Sequence, residues 1–243
     1  MTDLKQKKAT TFAPVPPPAV NEKDAAAVPE YLTSVYGRRY FHPWLAAVFD
    51  SKKIAAPATC FLGGKLTKSV TNEIIEGDDV LQLGVASGDF EREVASKMNG
   101  KGTYCIEDVS PAHIDAMKPR VSPWLNVVIK ERDFTVPDNK RYDVVIGWFS
   151  LHELPDTRKK AALKRAFNAL KPTGKMIFVD YAAPKRFHPL KPVLKTFNRL
   201  FEPFAESLWY NEIESFAPKT DKLIWAKKTC FGDLYQCVIA QRR

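Results

Sequence analysis

From Asp79 onward, short apolar runs alternate with helical patterns. Residues 80–86 (VLQLGVA), 102–108 (GTYCIED), 126–133 (NVVIKERD), 142–150 (YDVVIGWFS) and 175–182 (KMIFVDYA) each read as a strand. Helical patterns follow the first through about Met98, begin at Pro111 after the second, and run from about Thr157 to Leu170 after the fourth. Residues 223–229 and 234–242 read as a closing hairpin. Strands alternating with helices predict a parallel sheet covered on both faces, and strands this apolar are buried on both sides. The expectation is an α/β, doubly wound, mostly parallel seven-stranded sheet of Rossmann-like type.

Two intervals depart from that rhythm. Residues 1–29 are dominated by alanine and proline (APVPPPAV, DAAAVPE), which predicts a tail outside any packed core. From Glu30 the pattern turns helical, with Tyr31, Leu32, Val35 and Tyr36 on one face, and Pro43 starts or kinks a second helix carrying Trp44. Residues 30–69 therefore read as an N-terminal helical lid. The second interval, 184–217, places Val193, Leu194, Phe197, Leu200, Phe201, Phe204 and Leu208 on one helical stripe. Lys185, Arg186, Lys191, Lys195 and Arg199 accompany it with no acid before Glu202, and Pro203 separates two helices. Residues 30–243 thus form one catalytic domain with a lid at 30–69 and a basic amphipathic insert at 184–217.

The 243 residues are 45% hydrophobic and 27% charged, a globular composition. No apolar run is long enough for a spanning helix, and MTDLKQKKATTF lacks the apolar stretch of a secretory signal. Cys60, Cys105, Cys230 and Cys237 show neither a CxxC pair nor zinc spacing, so reduced thiols in a cytoplasmic compartment are the simplest reading. Net charge is +9, and residues 181–243 carry five of the nine excess cations. Such a surface suits nucleic acid, an anionic membrane, or merely solvent. Nucleic acid is not expected, because aromatics interleaved with base-reading residues are absent.

In an open α/β sheet, ligands bind beyond the carboxyl ends of the strands. The first strand ends in Gln82, Leu83, Gly84, Val85, Ala86, Ser87 and Gly88, whose small residues permit close backbone approach. A ligand-free strand–helix turn is the alternative reading. The second strand ends in Glu107, Asp108, Val109 and Ser110 before Pro111. Asp108 can grip ribose hydroxyls or cap the following helix, but the cap reading prefers Ser110. Asp133 ends the third strand and could accept from an adenine amino group. His152 and Asp180 follow the fourth and fifth strands and face the same crevice, which makes them candidate ligands for manganese. A pocket-lining histidine and a capping aspartate are the alternatives. Tyr31, Tyr36, Tyr40 and Trp44 could wall a flat ring. His42 and His188 lie in the presumed lids, His113 reads as exposed, and Asp143, at the far end of strand four, as structural.

On VLQLGVASG, IEDVSP, ERDF, YDVVIGWFSLHELPD and LKPTGKMIFVDY, residues 70–182 resemble the class I S-adenosylmethionine-dependent methyltransferases. The resemblance implies a cofactor loop at Gly84–Gly88 (Gly84, Val85, Ala86, Ser87, Gly88), a ribose acid at Asp108 beside Val109, and an adenine contact at Asp133 beside Phe134. It also implies that Trp148 to His152 line the cofactor and acceptor pocket. The family usually has an acid at Gln82 and a glycine at Ala86. With YLTSVYGRRYFHPW and FEPFAESLW added, the chain resembles the rhodoquinone biosynthesis protein family. That resemblance implies transfer of the cofactor's amino group to ubiquinone in place of a methoxy group, with Mn2+ required. It also implies work at the anionic inner face of a membrane. Gln82 in place of a carboxylate would remove a charge that stabilises the ammonium form and so lower the amine pKa. Gln82, His152, Trp148, Tyr36 and Tyr181 are the candidate catalytic residues. Methyl transfer to a quinone or phenol, and an inactive cofactor-binding subunit of a membrane complex, are the alternatives. The sequence leaves the oligomeric state open.

Overall fold

The computed structural model describes residues 28–34, 63–86 and 88–243. Residues 30–34 form a helical turn. Then follow α1 (Gly63–Thr71), β1 (Val80–Leu83), α2 (Phe90–Met98), β2 (Tyr104–Asp108), α3 (Pro111–Val121), β3 (Val127–Glu131), β4 (Tyr142–Trp148), α4 (Asp156–Asn168) and β5 (Leu170–Tyr181). The chain continues through α5 (Lys191–Phe201), α6 (Ser207–Tyr210), a 3-10 turn (Ile213–Phe216), β6 (Leu223–Cys230) and β7 (Tyr235–Arg242).

The seven strands form one sheet in the order β3-β2-β1-β4-β5-β7-β6. All pairings are parallel except those of β7, which runs antiparallel to β5 and β6. This is the expected doubly wound sheet. The order reverses at β1, so a crevice opens beyond the carboxyl ends of β1 and β4. Val80 to Leu83 are all buried, as a central strand covered on both faces requires. One core layer contains Val80, Phe90, Val94, Ile106, Val144 and Ile146, and the other Leu81, Leu83, Val145, Leu163, Met176 and Phe178.

The opposite end of the sheet is clamped by charge. Asp143 accepts from the Asp79 amide (2.8 Å), and Lys171 donates to Asp79 (2.8 Å) and Asp143 (2.7 Å). Asp143 is structural, as its position predicts. β5 begins at Leu170, five residues before the predicted start, because Leu170 pairs with Tyr142 ahead of a register shift between Tyr142 and Val144. A Cβ on Gly174 would come within 3.0 Å of the Tyr142 carbonyl, so a glycine permits this close approach.

The insert corrects the single-stripe expectation. Leu208, with Ala205, is buried and Phe204 half-buried, whereas Val193 and Phe197 are exposed. The second half is pinned by Lys159, whose Nζ donates to the Leu154 (2.6 Å) and Phe204 (2.9 Å) carbonyls. In the first half, α5, Val193 and Phe197 face outward, whereas Leu194 packs against the core. Pro203 does separate α5 from α6. No helix among the described residues is long and apolar enough to cross a membrane.

Candidate functional site

The turn after β1 is built from beneath. Gly84 has φ +87°, and a Cβ there would meet Phe134 at 3.4 Å and Ser150 at 3.5 Å. The Val85 amide donates to Asp108 Oδ2 (2.8 Å), the Gly84 amide to the Glu107 carbonyl (2.8 Å), and the Ala86 amide to Glu91 Oε1 (2.5 Å). Arg120 donates to the Ala86 carbonyl (3.0 Å) and lies 3.4 Å from Glu91 Oε2. Gly88 (φ +81°) lets the chain turn into α2. Ser87 lies outside the described residues.

Gln82 is 0% exposed. Its Nε2 donates to the Gly84 carbonyl (2.8 Å) and Glu91 Oε1 (3.1 Å), and its Oε1 accepts from the Tyr104 hydroxyl. Both amide hydrogens and the oxygen are thus engaged by protein. Gln82 thereby braces the loop from below. The motif also has a carboxylate after all, displaced from position 82 to Glu91 on α2. Burial, offset in part by Arg120 and the Ala86 amide, raises the Glu91 pKa to about 7. Glu91 was missed because it lies within an amphipathic helix pattern, where an acid reads as solvated.

Asp108 and Ser110 divide the two roles considered for Asp108. Ser110 Oγ accepts from the His113 amide (3.3 Å) and caps α3, with Pro111 in its first turn. Asp108 is not left free, because Oδ1 accepts from the Ser110 amide (2.7 Å) while Oδ2 holds Val85. Its neighbour Glu107 points into the other layer and pairs with buried Arg165 at 2.7 Å. Only Asp108 of the two therefore faces the loop. His113 corrects the expectation of exposure, since its Nδ1 lies 3.7 Å from Asp108. Asp133 accepts from the amide (2.8 Å) and hydroxyl (2.7 Å) of Thr135 and from Arg158 (3.1 Å). Val109 is buried against Leu32, flanked by Tyr31 and Phe204. The helical turn at 30–34 and the insert thus meet over the end of β2. Burial and then the nearby Asp133 charge push the Tyr31 hydroxyl pKa up.

Beyond β4, the Trp148 ring stacks on Phe90 at 4.0 Å and is 6% exposed. It packs against the core at the carboxyl end of β4. Phe149, at φ +48°, turns the chain outward. His152 then lies 4.8 Å from the Tyr181 ring, and Phe149, Tyr181 and Tyr235 stand within 5.9 Å of one another. The structure therefore brings together His152 and Tyr181, both predicted, and adds Phe149 and Tyr235.

Asp180 is engaged by protein groups at both oxygens, as the capping alternative has it. Oδ2 accepts from the Leu151 (2.8 Å) and His152 (3.1 Å) amides, and Oδ1 faces His152 Nδ1 (3.0 Å) and the Tyr181 amide (2.8 Å). Its oxygens are spent on orienting His152. The donor atoms gathered near one another are instead those of His152, Glu153 and Glu202, all within 4.8 Å. His188 is bound to the Phe231 carbonyl (3.1 Å) and docks the insert on the β6–β7 turn. Tyr36, Tyr40, His42 and Trp44 lie outside the described residues. A cleft of about 340 Å³ beside Trp209, Glu212, Lys227 and Asp233 contains none of the candidate residues.

Residues 80–174 match the methyltransferase domain family. The ubiquinone/menaquinone biosynthesis C-methyltransferase UbiE of Chromobacterium violaceum is 27% identical over 150 residues, 60% of this chain and 59% of that protein. Its counterpart in Ectopseudomonas mendocina is 28% identical over 147 residues, 58% and 56% of the two chains. The chain thus spans less than two thirds of the length of these curated relatives. The crystal structure of human N-acetylserotonin methyltransferase in complex with SAM superposes with a TM-score of 0.59 at 18% identity, covering 88% of this chain and 60% of that one. The fold is that of the class I S-adenosylmethionine-dependent methyltransferases.

Proposed function

We propose that the protein is an S-adenosylmethionine-dependent transferase that modifies the ring of ubiquinone at an anionic membrane surface on the cytoplasmic side. The group transferred is the cofactor's amino group, which replaces a methoxy group, as in rhodoquinone biosynthesis. The single observation that carries this reading is the Gln82–Glu91 pair beneath the cofactor loop. Where an ionised carboxylate would stabilise an ammonium, Gln82 is neutral, and Glu91 holds its proton up to about pH 7. A less stabilised ammonium releases its proton more readily, and the free amine is the nucleophile. Its attack forms a ring C–N bond as the methoxy C–O bond breaks, and methanol leaves with a proton from the amine. Release of the aminoquinone then requires cleavage of the cofactor's own Cα–N bond by β-elimination: a base removes a Cβ proton, its electron pair forms a Cα–Cβ double bond, and the ring-bound nitrogen leaves with the Cα–N pair and takes up a proton.

Phe149 and Tyr181, backed by buried Tyr235, supply aromatic walls for a flat ring next to His152. Mn2+, where bound, would supply Lewis-acid polarisation of a quinone carbonyl. The insert offers Phe187, Leu190, Val193 and Phe197 to solvent beside its five cations, the composition of an in-plane interfacial helix.

Methyl transfer to a quinone ring is the second reading, favoured by the relatives named as C-methyltransferases. In it, His152 oriented by Asp180 would take the substrate proton. Products separate the two. Purified chain, Mn2+, a short-tailed ubiquinone and cofactor labelled with nitrogen-15 at the amino group should give a labelled aminoquinone without S-adenosylhomocysteine. A methylated product with S-adenosylhomocysteine would replace the first reading by the second. No turnover by the purified chain would favour a non-catalytic subunit.

A further inference from the structure

We infer that His152, Glu153 and Glu202 form a divalent-cation site that ties the insert to the end of β4, with Asp180 as the residue that positions His152. The three donor atoms lie within 4.8 Å of one another. Two donors each about 2.1 Å from one ion stand roughly 3 to 4 Å apart, so the cluster would close by about 1 Å to become a coordination sphere. His152 Nε2 and Glu202 Oε2 are 3.9 Å apart, beyond hydrogen-bond distance.

A second, independent observation is the state of the imidazole. His152 is 5% exposed, with Nδ1 fixed by Asp180 at 3.0 Å. Its Nε2 makes no hydrogen bond among the described residues and points at the Glu202 carboxylate. A carboxylate behind a histidine whose other nitrogen faces further donors is the arrangement that holds metal-ligating imidazoles in orientation. Two carboxylates and one neutral imidazole balance a dication, and this donor set suits Mn2+ better than a soft metal.

The three ligands come from two separate parts of the chain. His152 and Glu153 leave β4, whereas Glu202 caps α5, its amide donating to the Asn198 carbonyl (2.9 Å). Beside it, Phe204 packs on Tyr31 and, through its carbonyl, binds Lys159. A cation here would therefore fasten the insert over the aromatic walls around Tyr181. The site deepens the function proposed above by naming the ligands, but ion binding is measured without cofactor or quinone. Its failure therefore leaves the product experiment standing, and the reverse also holds.

The test is titration of chelator-treated full-length chain with Mn2+, reading free ion by electron paramagnetic resonance. About one ion per chain is expected, with nitrogen hyperfine coupling from one imidazole. Glu202→Gln should weaken binding at least 10-fold, and Asp180→Asn 10- to 100-fold. His152→Ala should abolish both binding and the nitrogen coupling. Glu212→Gln, on the exposed surface, serves as the unchanged control. Because His152 is buried, its variant could misfold, so Glu202→Gln, in the insert, carries the test with a far-UV spectrum and melting temperature as fold checks. Absence of stoichiometric binding, bound Mn2+ without nitrogen coupling, or wild-type affinity in a folded Glu202→Gln protein would overturn the inference.

Discussion

Replacing Glu91 by glutamine should change how stability depends on pH, by an amount the structure sets. In the folded chain Glu91 is fully buried and keeps its proton to about pH 7, whereas an unfolded glutamate loses it near 4.5. Between these values the folded state binds more protons than the unfolded state, so this group's stabilisation is complete below pH 4.5 and is lost as pH rises through 7. A displacement of about 2.5 pKa units corresponds to about 3 kcal/mol. Glu91→Gln does not titrate. The amide it leaves against Arg120, 3.4 Å away in the parent, adds a fixed penalty to the variant at every pH. The informative quantity is therefore the change in the difference between the two proteins. Urea unfolding of both at pH 5, 6, 7 and 8 should show the variant gaining about 2.5 kcal/mol relative to the parent from the lowest to the highest pH, the part of the window that begins above 4.5. Contributions from every other ionisable group cancel in the comparison. Parallel stability profiles would refute the reasoning, because they would mean that Glu91 titrates alike in the folded and unfolded chain.

Other consequences follow from the same geometry. Gln82→Glu places a second carboxyl about 3 Å from Glu91, so one of the two stays protonated. The variant should be less stable at pH 8 than at pH 5, relative to wild type, and should transfer the amino group more slowly with equal or tighter cofactor binding by calorimetry. Unchanged turnover would count against a role for the neutral loop. Gly84→Ala, at φ +87° and against Phe134 and Ser150, should cost about 1 kcal/mol or more in urea unfolding and weaken cofactor binding. Neutralising Lys185, Arg186, Lys191, Lys195 and Arg199 together should abolish flotation with phosphatidylserine vesicles, at about 1 kcal/mol per cation, and leave Glu91-dependent stability untouched. Flotation equal to wild type would assign those charges to solvent.

The sheet was legible because its central strands, β1 and β4 above all, are largely apolar and its helices are amphipathic, whereas edge strands β3 and β6 carry charge and stay partly exposed. Residues 142–148 could only be a covered strand, and Pro111 after Ser110 marked a helix start that the structure matches. The start of β5 was not legible. Leu170 continues the α4 pattern, and only its pairing with Tyr142 across a register shift makes it strand. Asp108 could be placed beside the loop because it ends a strand in register with it. Glu91 and Glu202 were not found, because burial of an acid depends on which helix face packs inward, which composition does not reveal. For Asp180 the sequence left two roles open, a metal ligand and a capping acceptor. Its place at the end of β5 puts it near His152, but only the structure shows its oxygens consumed by three amides and the imidazole. The outward face of α5 could not be told from a packed one, since both share the same spacing of Val193 and Phe197.

The fate of the cofactor's nitrogen tests the central claim most directly. Mass spectrometry of the quinone formed from amino-labelled S-adenosylmethionine should show one nitrogen-15 gained and one methoxy group lost. An unlabelled quinone that has gained a methyl group would contradict it.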